Sequence, residues 1–490
     1  MPSRLRRLSA PLLSLALFAV AGLARTSPVA GSEIEARYAP DVIRAELDAL
    51  YTGLKAAHYD LFARRPRAEY DALHQRMREA IDAPLALDEV ERRFQRFVAY
   101  GNVAHARIDA IGRGWEAYRA GGGKAFPLFL RVVDGRVHVE RNVSGVDAIA
   151  VGDRVVSIDG LPARRWLDGM RTHLSADNDY LAYTQLETRL PMYVWLERGA
   201  VDAFALVLEK SGGRRLERRV PARSRAEFAA AEAKQPKHFA LDWDARDARM
   251  LEGGVAYLRP GPFYDNRPEA TDPWDTRAFR TFVDDAFERF IAADAKHLVI
   301  DLRDNPGGDN SFSDLMLAWI AAKPFRFTDA FDIRVSAATT ASNAKRLGGG
   351  ADSISTRFAA TYAKHRPGEH VRFDIPYAAP RDGRRYEGKV PVLVNRHSYS
   401  NTVMVAAIVQ DYRFGRVLGE ETADLASTLG AMESFTLPRT GIVVGYPKAR
   451  ILRPSGDARV RGVIPDVPIE TPLGAHAEDL VLARALDQLD

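Results

Sequence analysis

Hydrophobic residues recur every three or four positions in the early part of the chain, which predicts amphipathic helices. Leu50 and Leu54 are spaced as on one helix face. Similar patterns run over residues 67–81 and 87–100. We therefore predict an N-terminal helical bundle over residues 32–115.

Shorter alternating runs follow the flexible stretch Gly121-Gly122-Gly123 and predict strands over residues 128–133, 137–140 and 154–158. The segment Val151–Gly160 resembles the part of PDZ domains in which a Gly-Asp turn opens a strand that ends in an Asp-Gly turn. This resemblance implies a PDZ-like domain over residues 124–212. A small β module without a ligand role is the alternative.

A third pattern begins near residue 251, where strands and helices alternate to the end of the chain. Residues 298–302 form a near-continuous apolar run, which predicts a strand covered on both faces. Residues 353–365 carry apolar positions four apart and predict a helix over a cleft. The charged, alanine-rich residues 213–250 are predicted as a connector, so the fold class is multi-domain α+β with a core over residues 251–490.

The N-terminus has the pattern of a secretory signal peptide. Arg4, Arg6 and Arg7 precede 17 uncharged residues, and small residues suited to cleavage follow. An uncleaved membrane anchor is the alternative, but the run is shorter than the ~20 residues that a spanning helix needs. We expect cleavage of residues 1–24, export to the periplasm or medium, and no stable membrane insertion.

Composition excludes several classes of function. The chain of 490 residues is 46% hydrophobic and 27% charged, as in globular proteins with a large core. The absence of cysteine excludes cysteine nucleophiles, disulfide scaffolds and cysteine-based zinc sites. Without the three arginines of the leader, 66 of the 69 basic residues remain against 65 acidic ones. Because the sequence shows no cluster of basic residues that would form a basic face, we expect no nucleic-acid partner.

We expect neither a metal nor a cofactor. His365 and His370 stand at a spacing that superficially resembles zinc-protease motifs, but Pro367 and Gly368 break the helix that would align them. The chain also lacks the Gly-x-x-x-x-Gly-Lys-Ser/Thr phosphate loop. No sequence feature predicts an oligomeric state.

Two stretches could carry chemistry. In the first, the apolar strand ending near Leu302 enters the turn Gly307-Gly308, whose backbone N–H groups suit an anion or oxyanion. In the second, a strand turns directly into an apolar helix with Ser400 at the turn. A helix N-terminus there favours a developing negative charge. Taken separately, the first stretch could be only a tight turn, and Ser400 could be only an N-cap.

Together these stretches resemble the tail-specific, C-terminal-processing protease family, which includes the tricorn core protease and the interphotoreceptor retinoid-binding protein. The resemblance rests on four motifs in order: Ile300–Gly308, Ser398-Tyr399-Ser400, Gly419–Thr422 and Gly462–Asp466. It implies a core of ββα units in a ClpP/crotonase-like spiral. It also implies a serine endopeptidase that forms an acyl-enzyme on Ser400.

The family offers two kinds of general base. One branch uses a lysine in a Gly-x-x-Thr-x-Gly-Lys context, but Asp424 and Leu425 occupy that region here, and Lys448 is the only lysine after Ser400. The tricorn-like branch implies His105 as the base. A structural helix-end histidine is the alternative for His105, and His397 is the rival base.

The resemblance further implies that backbone N–H groups of Gly307 or Gly308 and of Asn401 hold the oxyanion. No residue is assigned as the third member of a triad, for which Asp457 is a candidate. Val403 stands where relatives carry glutamate.

The expected function is a periplasmic serine endopeptidase acting on unfolded chains or exposed C-termini, with the PDZ-like domain binding the peptide. The alternative is a catalytically inactive peptide- or lipid-binding protein on the same fold.

Overall fold

The computed structural model describes residues 37–109, 111–235, 238–348 and 353–489, and it is a mixed α+β structure built from three groups of elements. The first group contains β1 (Arg37–Tyr38), α1 (Pro40–Ala57), α2 (Arg67–Glu79), β2 (Leu85–Ala86), α3 (Leu87–Ala99) and α4 (Ile111–Ala120). The predicted signal peptide over residues 1–24 lies outside the described residues.

The second group forms an antiparallel sheet with three helices. It contains β3 (Leu128–Val133), β4 (Arg136–Asn142), β5 (Arg154–Ile158), β6 (Leu161–Pro162), α5 (Ala163–Met170), α6 (Asp179–Arg198), β7 (Ala203–Glu209), β8 (Arg215–Pro221) and α7 (Arg225–Ala233). Its strand order is β3-β4-β5-β7-β8, with β6 paired to β5. The sequence patterns located β3 to β5, whereas the long helix α6 was not predicted.

The third group contains two sheets and six helices. Its elements are β9 (Asp247–Met250), β10 (Ala256–Arg259), α8 (Arg277–Ala292), β11 (Leu298–Asp301), α9 (Asn310–Leu317), β12 (Ala330–Arg334), α10 (Ala337–Gly348), α11 (Ser353–Tyr362), β13 (His370–Arg372), β14 (Pro391–Val394), α12 (Asn401–Tyr412), β15 (Arg416–Gly419), β16 (Thr428–Thr436), β17 (Val443–Leu452), β18 (Val467–Pro468) and α13 (Leu480–Leu486).

The region predicted as a connector, residues 213–250, contains regular structure instead. Strand β8 pairs with β7 in the second group, and β9 pairs with β10 at the edge of a core sheet. In β8 only Leu216 and Val220 are buried, while the charged residues between them face solvent. This strand lies at a sheet edge and buries only two side chains. It therefore lacks the regular pattern of apolar residues from which strands were predicted.

The larger core sheet has the order β18-β15-β14-β11-β10-β9, and its neighbours are parallel except for β9 and β10. Strand β11 is buried on both faces, as its apolar run predicts. Leu298 and Ile300 pack with the aromatic residues of α8 in one cluster, while Val299 packs with Val481 of α13 in another. Coverage of both faces is usual for a parallel sheet.

The second core sheet has the order β13-β12-β17-β16 and is antiparallel. The N-terminal helices bury their apolar faces against Val444 and Tyr446 of β17. Helix α11 packs Phe358 and Tyr362 against Phe331 of β12. The predicted helix over residues 353–365 is thus present as α11, and the N-terminal helices share a hydrophobic core with this sheet.

Among the described residues, no helix has both the length and the apolar character required to cross a membrane.

The aromatic cluster under α8 is expected to stabilise the core strongly. Phe287 is fully buried and stacks on Trp319 with ring centroids 5.1 Å apart. We expect Phe287→Ala to lower the free energy of unfolding by about 3–5 kcal/mol, because it removes a buried ring and leaves a cavity. Urea unfolding followed by circular dichroism measures the change.

Phe239→Ala is the matched control, because Phe239 is 40% exposed. It should change the free energy of unfolding by about 1 kcal/mol or less. Equal losses for the two variants would contradict the assignment of the core.

Candidate active site

Ser400 lies at a strained turn between a buried strand and a buried helix. Strand β14 ends at Val394 and helix α12 begins at Asn401. Ser400 has φ 54° and ψ −124°. A positive φ of this kind is energetically unfavourable for any residue other than glycine. Its hydroxyl does not cap α12, so Ser400 is not the side-chain N-cap that was the alternative interpretation.

Hydrogen bonds from surrounding loops hold this turn. The carboxylate of Asp424 accepts the Ser400 backbone N–H at 2.6 Å. The N–H of Tyr399 donates to the carbonyl of Asn305 at 3.0 Å, and the hydroxyl of Ser398 donates to the carbonyl of Leu302 at 2.9 Å. The turn is therefore fixed from both sides, which compensates for its unfavourable backbone conformation.

The glycine turn after β11 touches the Ser400 turn directly. A Cβ at Gly307 would lie 2.7 Å from the carbonyl oxygen of Tyr399 and 2.9 Å from the Cβ of Ser400. Gly307 also has φ +91°, which L side chains rarely adopt. Only glycine allows the two turns to approach this closely.

The predicted oxyanion donors differ in their availability. The N–H of Gly307 already donates to the side-chain oxygen of Asn305 at 2.9 Å, so it is not a free donor. Within the described part of the chain, the N–H groups of Gly308 and Asn401 have no hydrogen-bond acceptor. These two groups are therefore the available donors beside Ser400.

His105 reaches the same turn from the N-terminal group. Its neighbour Arg107 exchanges backbone hydrogen bonds of 2.8 and 3.1 Å with Gly445 of β17. The His105 ring lies over the ring of Tyr399, with centroids 5.5 Å apart and planes 23° apart. No hydrogen bond joins the Ser400 hydroxyl to His105 among the described residues.

Burial determines the protonation state of His105. The side chain is nearly inaccessible, and burial lowers its pKa to about 4. The imidazole is therefore neutral at neutral pH and able to accept a proton. Its Nδ1 is buried and has no hydrogen-bond partner in the described structure.

The rival base His397 belongs to an ion-pair network between α6 and the core. Burial alone would lower the pKa of His397, but the Glu187 carboxylate, 3.5 Å from its Nε2, raises it above the ordinary value. The neighbouring Arg396 pairs with Glu187 at 3.1 Å and with Glu420 at 2.6 Å. His397 is thus bound to an acidic partner across the two groups of elements.

Other candidates do not join this constellation. Lys448 donates to Glu433 at 2.7 Å, so it is committed to a buried ion pair. The side chain of Asp457 pairs with Arg459 at 2.6 Å, and among the described residues no contact links it to His105.

The two histidines on either side of Pro367 make separate contacts. His365 contacts Glu369 at 3.0 Å, whereas the ring of His370 bonds the carbonyl of Tyr59. Over the described ranges, no group of three potential metal ligands is found.

Two buried acids at the site were missed. Asp424 is fully buried, which raises its pKa to about 6. Asp177 accepts the N–H of Ala104, the residue before His105, at 3.0 Å. Asp424 could have been noticed because it lies in the region where one branch of relatives carries lysine. Asp177 has no motif, since it is brought to the site from a loop before α6.

Comparisons with known proteins show a similar sequence family and similar folds. Residues 270–469 match the sequence profile of Peptidase family S41. A search of curated protein sequences finds no match.

Solved structures with a similar fold include mature CPAF complexed with lactacystin, at 15% identity and TM-score 0.61 over 91% of this chain and 97% of that one. Mature CPAF without this compound matches at 15% identity and TM-score 0.56 over 87% and 93% of the two chains. The photosystem II D1 C-terminal processing protease matches at 16% identity over 87% and 93%, with a TM-score of 0.42.

The CPAF structures support a shared fold, and the profile match identifies the chemistry. The matched residues include both the glycine turn and Ser400. The chain is therefore similar to peptidase family S41 over residues 270–469, and it is a serine-type peptidase.

Proposed function

We propose that the protein is an exported, tail-specific endopeptidase that cleaves unfolded chains or exposed C-termini through an acyl-enzyme on Ser400, with His105 as the general base. One observation carries this proposal. The strained Ser400 turn contacts the Gly307 turn and lies beside His105, which stacks on the adjacent Tyr399. The proposed nucleophile, general base and oxyanion donors therefore lie close together, although they come from three distant segments of the chain.

The proposed reaction uses these groups in sequence. The Ser400 hydroxyl attacks the peptide carbonyl carbon while His105 accepts its proton. The oxyanion receives hydrogen bonds from the N–H groups of Gly308 and Asn401. The intermediate collapses with transfer of the proton from His105 to the leaving amine, and water then hydrolyses the acyl-enzyme.

The remaining elements fit this proposal. The third group is proposed as a ClpP/crotonase-like core and the second as a PDZ-like domain that binds a peptide strand or C-terminus. The second group contacts the core close to the Ser400 turn, where Arg396 pairs with Glu187 of α6. We propose cleavage of residues 1–24 during export, to the periplasm or medium.

Ser400→Ala is expected to abolish covalent labelling by a fluorophosphonate, because the probe reacts with an activated serine. Labelling of purified protein, followed by intact-mass measurement, checks this. Ser224→Ala is the matched control, since Ser224 caps α7 with its side chain. This control should retain labelling and lose about 1 kcal/mol of stability.

If folded wild-type protein is not labelled at any pH, the proposal of an acyl-enzyme on Ser400 fails, and the alternative of a binding protein on the same fold gains support. Labelling that survives in Ser400→Ala would move the nucleophile elsewhere.

His105→Ala is expected to lower the labelling rate about 100- to 10,000-fold, because the general base is lost. His397→Ala should leave the rate within a few-fold of wild type, since His397 is bound to Glu187. The two variants differ only in which histidine near Ser400 is removed. The opposite ranking would assign the base to His397.

The pH dependence separates the two histidines independently. A base must be unprotonated, so labelling that depends on His105 should persist as pH falls and decline only near its pKa of about 4. Labelling that depends on His397 would decline already above the ordinary histidine pKa of about 6.5. An inflection near pH 6 that disappears in Asp424→Asn would report Asp424, whose pKa is about 6.

A further inference from the structure

Asp177 is an acid without a place in the proposed reaction, although it lies beside the base. Its side chain is fully buried. Burial raises the pKa of Asp177, and the backbone N–H of Ala104 opposes this by stabilising the charged form. A buried carboxylate needs such partners, because an isolated buried charge is very costly.

The position of Asp177 is built by contacts between distant segments. Ala104, Ala176, Leu181 and Ala423 pack in one small apolar cluster, with Tyr399 at its edge. Tyr180 adds a hydrogen bond of 3.1 Å to the carbonyl of Glu421. The loop carrying Asp177 is therefore packed against both the His105 segment and the Ser400 turn.

A second observation is a buried nitrogen of His105 that lacks a hydrogen-bond partner among the described residues. Nδ1 of His105 is buried and has no hydrogen-bond partner in the described ranges, although a buried polar atom is normally paired. The Asp177 charge acts on this ring, raising the pKa of His105 against the larger effect of burial. One carboxylate oxygen of Asp177 accepts the N–H of Ala104, and the other lies 3.5 Å from the Arg64 guanidinium. Each oxygen has a further lone pair that could accept another hydrogen bond.

Asp424 is the competing acid, but its backbone contact is with a different segment. It accepts the backbone N–H of Ser400, so it is fixed to the segment of the nucleophile. Asp177 is fixed to the segment of the base, next to His105. A group that orients the base must act on the ring nitrogen that does not face the nucleophile.

We propose that Asp177 is the positioning residue for His105, holding the proton on Nδ1 so that Nε2 presents its lone pair to Ser400. This inference rests on the proposed function of Ser400 and His105. The carboxylate also stabilises the imidazolium that forms when His105 accepts the serine proton. Catalytic hydrogen bonds of this type are often long before substrate binds and shorten in the complex.

The test compares Asp177→Asn with Asp424→Asn in otherwise intact protein. The asparagine keeps an oxygen for the Ala104 N–H, but its NH₂ group can donate to Nδ1 and so favour the wrong tautomer. The tautomer of His105 is read from its imidazole ¹⁵N chemical shifts, assigned by comparison with His105→Ala. Thermal unfolding checks that each variant is folded.

The expected result is an Nδ1–H tautomer in wild type and an Nε2–H tautomer in Asp177→Asn. The labelling rate of Ser400 should fall about 100- to 10,000-fold in this variant. Asp177→Glu should restore part of the rate, because it restores the charge. Asp424→Asn should leave the tautomer unchanged.

The proposal is overturned if the tautomer is the same in wild type and Asp177→Asn, or if only Asp424→Asn changes it. The tautomer is measured on resting protein and needs no catalysis. If wild-type protein is not labelled, the proposed catalysis by Ser400 is wrong. If the tautomer does not depend on Asp177, the proposed role of Asp177 is wrong, so the two failures can be told apart.

Discussion

The close approach of two turns at the carboxyl edge of the larger core sheet is the constraint on which the site depends. Strands β11 and β14 are parallel neighbours, with Ile300 opposite Val392 and Asp301 opposite Leu393. Their carboxyl ends therefore meet, and the chain leaves both at the same edge. Gly307 has no side chain, so the loop after β11 can lie directly against Ser400. The available N–H groups follow from this contact.

The second requirement of the proposed site is a base, His105, that comes from outside this sheet. The N-terminal helices cannot bury their apolar faces alone and pack on the β16–β17 hairpin. The segment that follows them is then bonded to Gly445 of β17, which places His105 over Tyr399. The contacts that pack the helices therefore also position His105, so the bundle contributes to the candidate site as well as to stability.

Much of this arrangement could be predicted from local sequence. Periodicity predicts the helices α1 to α3, and continuous hydrophobicity predicts the buried strand β11. The change from an apolar strand to an apolar helix predicts the turn at Ser400. Helix α4 was missed because Gly112 and Gly114 interrupt its pattern. Strand β8 was missed because an edge strand with a single small buried face has no distinct apolar stripe.

The acids at the site show a different limit. Asp177 and Asp424 are ordinary residues in sequence, and only long-range packing brings them to His105 and Ser400. Likewise, nothing local reveals that Asn305 occupies the Gly307 N–H and leaves Gly308 and Asn401 as donors. Roles that depend on hydrogen bonds between distant loops require the folded structure.

The most direct test of the account is a crystal structure of the phosphonylated protein. We expect a phosphorus atom bonded to Ser400 Oγ, with one phosphonyl oxygen about 2.7–3.1 Å from the N–H groups of Gly308 and Asn401. His105 should lie within hydrogen-bond reach of Oγ. An oxygen directed away from both N–H groups, or His397 in the place of His105, would contradict it.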